Sequence, residues 1–343
     1  MDLKGFTINL EPVLQLIKEK KIQRIALQLP EGLKNSALEI VRYIKQKASV
    51  EIFILADPCF GACDISTDGL VDMQVEILLH IGHSPLAKQP ESPIPIEFIP
   101  AVATIDITPV MKNAAQQLTG KTVGLITTIQ HIHMLGLMQK ILEKNGVKTI
   151  VGIPSNRSIS PGQILGCNFS AAVNIAESVD VFLYVGSGMF HPLGIRLISK
   201  KPVYSADPYS QKIQQKEIDI LRETVLRQRY GAIALAKQSR RFGIIISAKK
   251  GQQRINTALN IQHLLLQAHK ETYLLLMNQI TPETIMKFRS IECFISTSCP
   301  RVAIDDYQQY KTPILTPVEA EIAFGVRTWD AYVFDEFLDT DDK

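Results

Sequence analysis

Short apolar runs alternate with amphipathic segments along the whole chain, and the same order of segments occurs three times. Runs such as RIALQLP at 24–30 and KTVGLITT at 121–128 are short, are rich in aliphatic residues and lead into a loop, which is typical of buried strands. Between such runs, apolar residues three or four positions apart predict helices, as over residues 33–44. Strands that alternate with helices favour parallel sheets.

The repeated order predicts an α/β protein made of three similar parallel-sheet domains. The predicted strands are 24–30, 50–55, 77–84 and 96–99 in the first unit, 121–128, 147–153, 181–185 and 201–208 in the second, and 241–247, 271–277, 293–297 and 312–317 in the third. We place the domains at residues 1–102, 103–209 and 210–343. The acidic tail at 335–343 is expected to be poorly ordered.

Composition excludes several classes of protein. A net charge of +3 is too small to favour nucleic acid as a partner. We find no secretory leader and no run of about 18 apolar residues, so we expect no membrane association. The predicted location is the cytoplasm, where the five cysteines stay reduced and metal binding or catalysis is favoured over disulfides.

Each predicted domain has one cysteine in a loop beyond a strand: Cys59, Cys167 and Cys299. Ligands of open α/β sheets bind at this edge. If the domains pack around a pseudo-threefold axis, the three thiolates can meet at a central site and hold a soft metal centre. A four-iron cluster with three cysteine ligands keeps one iron open for a substrate, and we favour it. A zinc site, which the absence of a C-x-x-C pair weakens, and unrelated buried cysteines remain alternatives.

Six segments of the chain, in order, resemble the archaeal enzymes that catalyse the first step of diphthamide synthesis. They are LQLPEGL at 27–33, ADPCFGACD at 56–64, GHS at 82–84, GQILGCN at 162–168, GSGMFHP at 186–192 and CPR at 299–301. The resemblance covers essentially the whole chain. It implies a homodimer whose subunits hold a [4Fe–4S] cluster through Cys59, Cys167 and Cys299. Cys63 and Cys293 match no ligand position and are interpreted as packing residues.

The resemblance also implies a transferase that uses S-adenosylmethionine as a substrate in a noncanonical radical reaction. The 3-amino-3-carboxypropyl group is moved to the imidazole C2 of a histidine in translation elongation factor 2, and an electron donor is required. The usual radical signature, C-x-x-x-C-x-x-C, is incomplete, because Cys59 and Cys63 supply only its first spacing. No residue beyond the cluster ligands is assigned a catalytic role.

Five further residues are candidates for substrate binding. Arg301 could pair with the carboxylate of the methionine moiety, although a surface ion pair is an equal alternative. Gln252 could reach polar groups of the substrate or simply occupy a turn. Ser187 and Gly188 belong to a small-residue loop that could admit the nucleoside, which is weak evidence by itself. His83 could bind ligand or the protein target, or be satisfied by its neighbours.

Two other functions remain open at this point. Quinolinate synthase has a similar threefold arrangement and a three-cysteine cluster, so the repeat and the cysteines alone do not exclude it. A non-catalytic partner subunit is the second alternative, although the presence of all three cysteines disfavours it.

Overall fold

Three mainly parallel sheets carry the chain, one for each predicted unit, and the second sheet also takes an antiparallel edge strand from residues 212–214, beyond the predicted boundary at residue 209. The structure is a computed structural model that describes residues 1–3, 5–155 and 157–338. The elements of the first unit are β1 (Asp2–Leu3), β2 (Phe6–Thr7), α1 (Glu11–Lys20), β3 (Arg24–Gln28), α2 (Ala37–Lys47), β4 (Glu51–Ile54), β5 (Ile77–Ile81), β6 (Ile96–Ile99) and β7 (Val102–Ala103). The parallel sheet has the order β4-β3-β5-β6.

The second unit repeats this order and adds an edge strand. Its elements are α3 (Thr108–Leu118), β8 (Thr122–Thr127), α4 (Leu135–Lys144), β9 (Lys148–Ile150), α5 (Ser170–Val173), β10 (Val181–Val185), α6 (Phe190–Ser199), β11 (Val203–Asp207) and β12 (Lys212–Gln214). The sheet order is β12-β11-β10-β8-β9, in which only β12 is antiparallel to its neighbour.

The third unit has the same sheet topology as the first. Its elements are α7 (Lys216–Gln238), β13 (Arg241–Ser247), α8 (Ile255–Gln267), β14 (Glu271–Met277), α9 (Pro282–Ile285), β15 (Cys293–Ser296), α10 (Arg301–Ile304), β16 (Ile314–Leu315) and α11 (Pro317–Ala323). The sheet order is β14-β13-β15-β16, all parallel. In every unit the first strand therefore lies between the second and the third, which confirms the predicted α/β class and puts equivalent loops at equivalent sheet edges. The domain boundaries stay a prediction.

Two parts of the chain differ from the sequence-based expectation. The strands β1, β2 and β7 form a small antiparallel sheet, which the pattern missed because each is only two residues long. The tail was expected to be poorly ordered from residue 335 onward, but Asp335 and Phe337 are buried and bonded. The rest of that expectation, residues 339–343, lies outside the described residues. No helix among the described residues is long and apolar enough to cross a membrane.

A buried ion pair joins the long helix α7 to the last elements of the third unit. Arg229 donates to Glu319 at 2.7 and 2.6 Å, and both side chains are 0% exposed. The same guanidinium donates to the backbone oxygens of Ala303 and Ile314. The guanidinium, the carboxylate and the two backbone oxygens are all buried away from water. Each of them therefore depends on the others for its hydrogen bonds.

We predict that Glu319→Ala destabilises the protein by about 3–5 kcal/mol, because it leaves the Arg229 charge buried without its partner. Glu223→Ala is the matched control, since the Glu223–Arg227 pair is exposed and should contribute about 0.5 kcal/mol or less. Urea unfolding of the two variants measures the difference. Equal losses of stability would contradict the assigned role of the buried pair.

Candidate metal centre

Three loops, one from each unit, come together and carry Cys63, Cys167 and Cys299. Burial raises the pKa of the Cys299 thiol to about 12, and the neighbouring Cys63 and Cys167 add to this increase. Burial and Cys167 likewise raise the pKa of Cys63 to about 11. The charge of Cys167 thus acts on both Cys63 and Cys299. The Cys167 and Cys299 loops also touch, because a Cβ at Gly166 would lie 3.8 Å from Arg301 Cδ. The residues keep part of their surface exposed, so the site stays within reach of a ligand.

The structure places Cys63 in this group and Cys59 in another, which differs from the arrangement expected for the predicted ligand set. Cys59 is buried, and its Sγ faces the backbone oxygens of Gly61 and Asp64, both at 3.9 Å. Its neighbours include His80 and His83. The chain turns at residues 61–64, where Asp64 N donates to Gly61 O at 2.9 Å, and Cys63 Sγ accepts from Gln252 of the third unit. Cys63 therefore lies beside the other two cysteine loops, where it is a candidate ligand as well as a packing residue.

Gln252 links Cys63 to the residue before Cys299. Its Nε2 donates to Cys63 Sγ at 3.4 Å, and its Oε1 accepts from Ser298 Oγ at 3.1 Å. The preceding Gly251 makes this possible, because a Cβ there would lie 2.5 Å from Cys63 Cα. The side chain of Gln252 is buried and joins two of the cysteine loops, and its predicted contact with substrate stays a prediction.

Two arginines face the cysteine group. Burial raises the pKa of the Cys167 thiol, while the charges of Arg157 and Arg254 lower it and so favour the thiolate. Arg157 Nη2 donates to Gly251 O at 2.7 Å. Its Nε is buried and has no hydrogen-bond partner among the described residues. A buried cationic N–H beside three thiols fits an anionic, sulfur-rich group. No motif in the sequence pointed to Arg157.

The start of the predicted tail packs under the Cys167 loop. Phe337 N donates to Cys167 O at 2.9 Å, and the Phe337 ring lies 4.3 Å below the Arg157 guanidinium and 4.4 Å below that of Arg254. Asp335 holds Arg254 through two bonds of 3.0 and 2.6 Å. The tail thus holds Arg157 and Arg254 in place. Its acidic composition gave no indication of this role.

A cleft of about 490 Å³ opens along α10, directly after the Cys299 loop. Its lining includes three of the residues predicted to bind substrate: Ser187, Gly188 and Arg301. The Arg301 guanidinium lies 4.8 Å from the centre of the Phe190 ring and pairs with Asp305 at 2.8 Å. Since Arg301 is two residues from Cys299, the cleft and the thiols share one loop.

His83 lies away from this cleft lining, in a buried cluster at the edge of the first sheet. Its Nδ1 is 2.9 Å from His80 Nε2, and His80 Nδ1 is 2.9 Å from Gln28 Oε1. Burial lowers the pKa of His80 to about 3 and that of His83 to about 4, so both rings are neutral near pH 7. His83 is half-buried and hydrogen-bonded to His80, and its predicted contact with ligand or with the protein target stays a prediction.

Comparison with known proteins gives a consistent result. The model of the diphthamide synthesis protein family matches residues 29–333. The chain is 34% identical to the 2-(3-amino-3-carboxypropyl)histidine synthase of Pyrococcus horikoshii, covering 95% of this chain and 93% of that one. It is 30% identical to the Methanocaldococcus jannaschii protein of the same name, covering 98% and 94%. The crystal structure of Pyrococcus horikoshii Dph2 with a 4Fe-4S cluster superposes with a TM-score of 0.87 at 33% identity, covering 97% and 94%.

We predict that Glu336 makes stability fall as pH rises toward neutrality. Burial first, and then the charge of Asp335, raise its pKa to about 7, although Phe169 N donates to its carboxylate at 2.5 Å. The folded protein therefore holds this proton more tightly than the unfolded chain. The stabilisation is complete below about pH 4.5 and is lost as pH rises through about 7.

Urea unfolding at a series of pH values from about 5 to 8 measures this effect. Glu336→Gln, which stays neutral, should lack this part of the pH dependence, whereas the exposed Glu223→Gln should keep it. Parallel pH profiles for Glu336→Gln and the unmodified protein would refute the prediction.

Proposed function

Because the chain belongs to the diphthamide synthesis protein family, we propose that it catalyses the first step of diphthamide synthesis. In this reaction the 3-amino-3-carboxypropyl group of S-adenosylmethionine is transferred to the imidazole C2 of a histidine in translation elongation factor 2. The names of the relatives specify this product. The observation that carries the proposal is the meeting of Cys63, Cys167 and Cys299 beside a cleft of suitable size.

We propose that these three thiolates hold a [4Fe–4S] cluster with one iron open, which revises the ligand set by exchanging Cys59 for Cys63. When bound, such a cluster supplies the electron that cleaves a carbon–sulfur bond of the sulfonium. The protein's own contribution is to gather the thiols, to balance their charge with Arg157 and Arg254, and to support Cys63 through Gln252. The resemblance of the fold to a protein crystallised with a 4Fe-4S cluster supports this assignment.

The cleft residues would bind and orient S-adenosylmethionine. Arg301 presents a guanidinium that can form two parallel bonds with the methionine carboxylate. In the free protein Asp305 occupies this guanidinium, so the substrate carboxylate would take over the position of Asp305. Gly188, at φ 80°, keeps the opposite loop free of a Cβ, and with Ser187 it leaves space for the nucleoside.

The partners belong to the same proposal. The elongation factor must bring its histidine to the cleft, and a separate donor must reduce the cluster, so we place the reaction in the cytoplasm. We also propose a homodimer. Exposed apolar residues on the edge strand β14, Tyr273, Leu274 and Leu276, support it because such an edge is normally covered.

We predict that Cys63→Ser, Cys167→Ser and Cys299→Ser each abolish cluster assembly after anaerobic reconstitution, because three thiolates are the minimum for this site. Cys293→Ser is the control, since Cys293 is fully buried in β15. Iron content, absorption and electron spin resonance of the reduced protein measure the result. Full clusters in Cys63→Ser would show that the revised ligand set is wrong.

The unmodified, reduced protein should convert S-adenosylmethionine to methylthioadenosine and modify the elongation factor. Turnover of iminoaspartate with dihydroxyacetone phosphate would instead indicate a quinolinate synthase. An assembled cluster that gives neither product would favour the non-catalytic partner subunit.

We predict that Arg301→Gln weakens the binding of S-adenosylmethionine about tenfold or more, since charge-assisted hydrogen bonds contribute roughly 1.5–3 kcal/mol. Iron content should stay unchanged, because the Arg301 side chain is 53% exposed and points into the cleft. Calorimetry on the oxidised protein measures affinity without turnover. Arg327→Gln, which breaks a comparable ion pair with Glu321, should leave affinity intact; an equal loss in both variants would argue against a carboxylate contact at Arg301.

A further inference from the structure

Cys59, His80 and His83 form a second group of metal-binding side chains. One ligand atom from each residue lies within 4.8 Å of the others. Cys59 follows β4, His80 belongs to β5, and His83 comes just after β5, so the group spans the carboxyl edge of the first sheet. None of these residues has a place in the proposed reaction, which uses Cys63 instead.

The hydrogen bonds around Gln28 fix the protons on the two rings. Gln28 Nε2 donates to Asp64 O at 2.9 Å, so its Oε1 is the atom that faces His80 Nδ1. An amide oxygen only accepts, and His80 Nδ1 must therefore carry its proton. The lone pair of His80 is then on Nε2, where His83 Nδ1–H donates to it. This carbonyl–histidine arrangement is the one that orients histidine ligands in metal sites.

We propose that Cys59, His80 and His83 bind a divalent zinc-class cation through one sulfur and two nitrogens. Zinc accepts this mixed ligand set, with bonds of about 2.3 Å to sulfur and 2.0–2.1 Å to nitrogen. Tetrahedral geometry then needs about 3.3 Å between the nitrogens, which are now 2.9 Å apart, and about 3.6 Å from each nitrogen to sulfur. The required movements are of the order of 1 Å. Water completes the fourth position.

Binding of the cation releases one proton and moves another. The Cys59 thiol releases its proton to solvent and becomes a thiolate. His83 moves its proton from Nδ1 to Nε2, so Nδ1 gains the lone pair that faces the metal. His80 keeps Nδ1–H on Gln28 and coordinates through Nε2. No redox change occurs.

The site would fix the loop that carries Cys63. Cys59 lies four residues before Cys63, and Gln28, which orients His80, also holds the backbone of Asp64 on the other side. Asp64 in turn pairs with Lys249 of the third unit at 2.8 Å. A cation at Cys59 would therefore anchor one end of a loop whose other end is anchored to the third unit. This inference goes beyond the proposed function and does not depend on it.

The test is equilibrium dialysis of the full-length, anaerobically reconstituted protein against Zn²⁺, with zinc and iron counted separately. We expect one zinc per chain in addition to the iron. Cys59→Ser and His83→Gln should each weaken zinc binding about tenfold or more, while Cys293→Ser should not change it. Two independent ligand variants keep the test valid if one of them does not fold.

Co²⁺ provides a spectroscopic readout that is separate from the cluster. In a chain with Cys63, Cys167 and Cys299 all changed to Ser, Co²⁺ should give a thiolate-to-cobalt charge-transfer band, and adding Cys59→Ser should remove it. If the cluster is lost and this band is retained, the result supports a zinc site that is separate from the cluster. Zinc binding that is absent, or that is unaffected by Cys59→Ser, would overturn the proposal.

Discussion

The whole site depends on bringing three buried thiols from three separate sheets to one point. Burial raises the pKa of Cys63, Cys167 and Cys299, and Cys167 further opposes the ionisation of the other two. The protein opposes this with positive charge, since Arg157 and Arg254 both favour the Cys167 thiolate. These two arginines are held in turn by residues of the chain end, Asp335 and Phe337. The position of the tail is therefore part of the chemistry of the site.

Convergence also requires close contact between loops, because the sheets themselves cannot approach to within a few ångströms. Gly251 meets Cys63 where a Cβ would lie 2.5 Å from backbone atoms, so the third unit reaches the first unit through bare backbone. Lys249 and Gln252, on either side of this glycine, bind Asp64 and the Cys63 sulfur. The loop after β13 therefore connects the first and third units, and a larger residue in place of Gly251 would push them apart.

The sequence predicted the strands and the placement of Cys167 and Cys299 because these depend on short-range patterns: apolar runs mark the strands, and each cysteine is the only one in its loop. It could not separate Cys59 from Cys63, since both occupy the same loop. Their difference depends on a backbone turn, Asp64 N to Gly61 O, and on contacts with Gln252, which is 189 residues away in sequence. Arg157 and the tail escaped prediction for the same reason, because their roles come from tertiary packing.

The cleft and Cys299 are next to each other in the chain. In the proposed reaction, this can explain why one of the three carbon–sulfur bonds of the sulfonium is cleaved. Cys299 and Arg301 lie in one short segment, at the start of α10, so a carboxylate bound by Arg301 is held at a fixed separation from the metal centre. The Ser187–Gly188 loop lines the same cleft and, in the proposed reaction, would fix the nucleoside end. With both ends of the substrate fixed, the sulfonium has little freedom to rotate, and its γ-carbon bond is the one between the anchored carboxylate and the sulfur. Selectivity would then come from the spacing of two anchors, without a dedicated catalytic side chain.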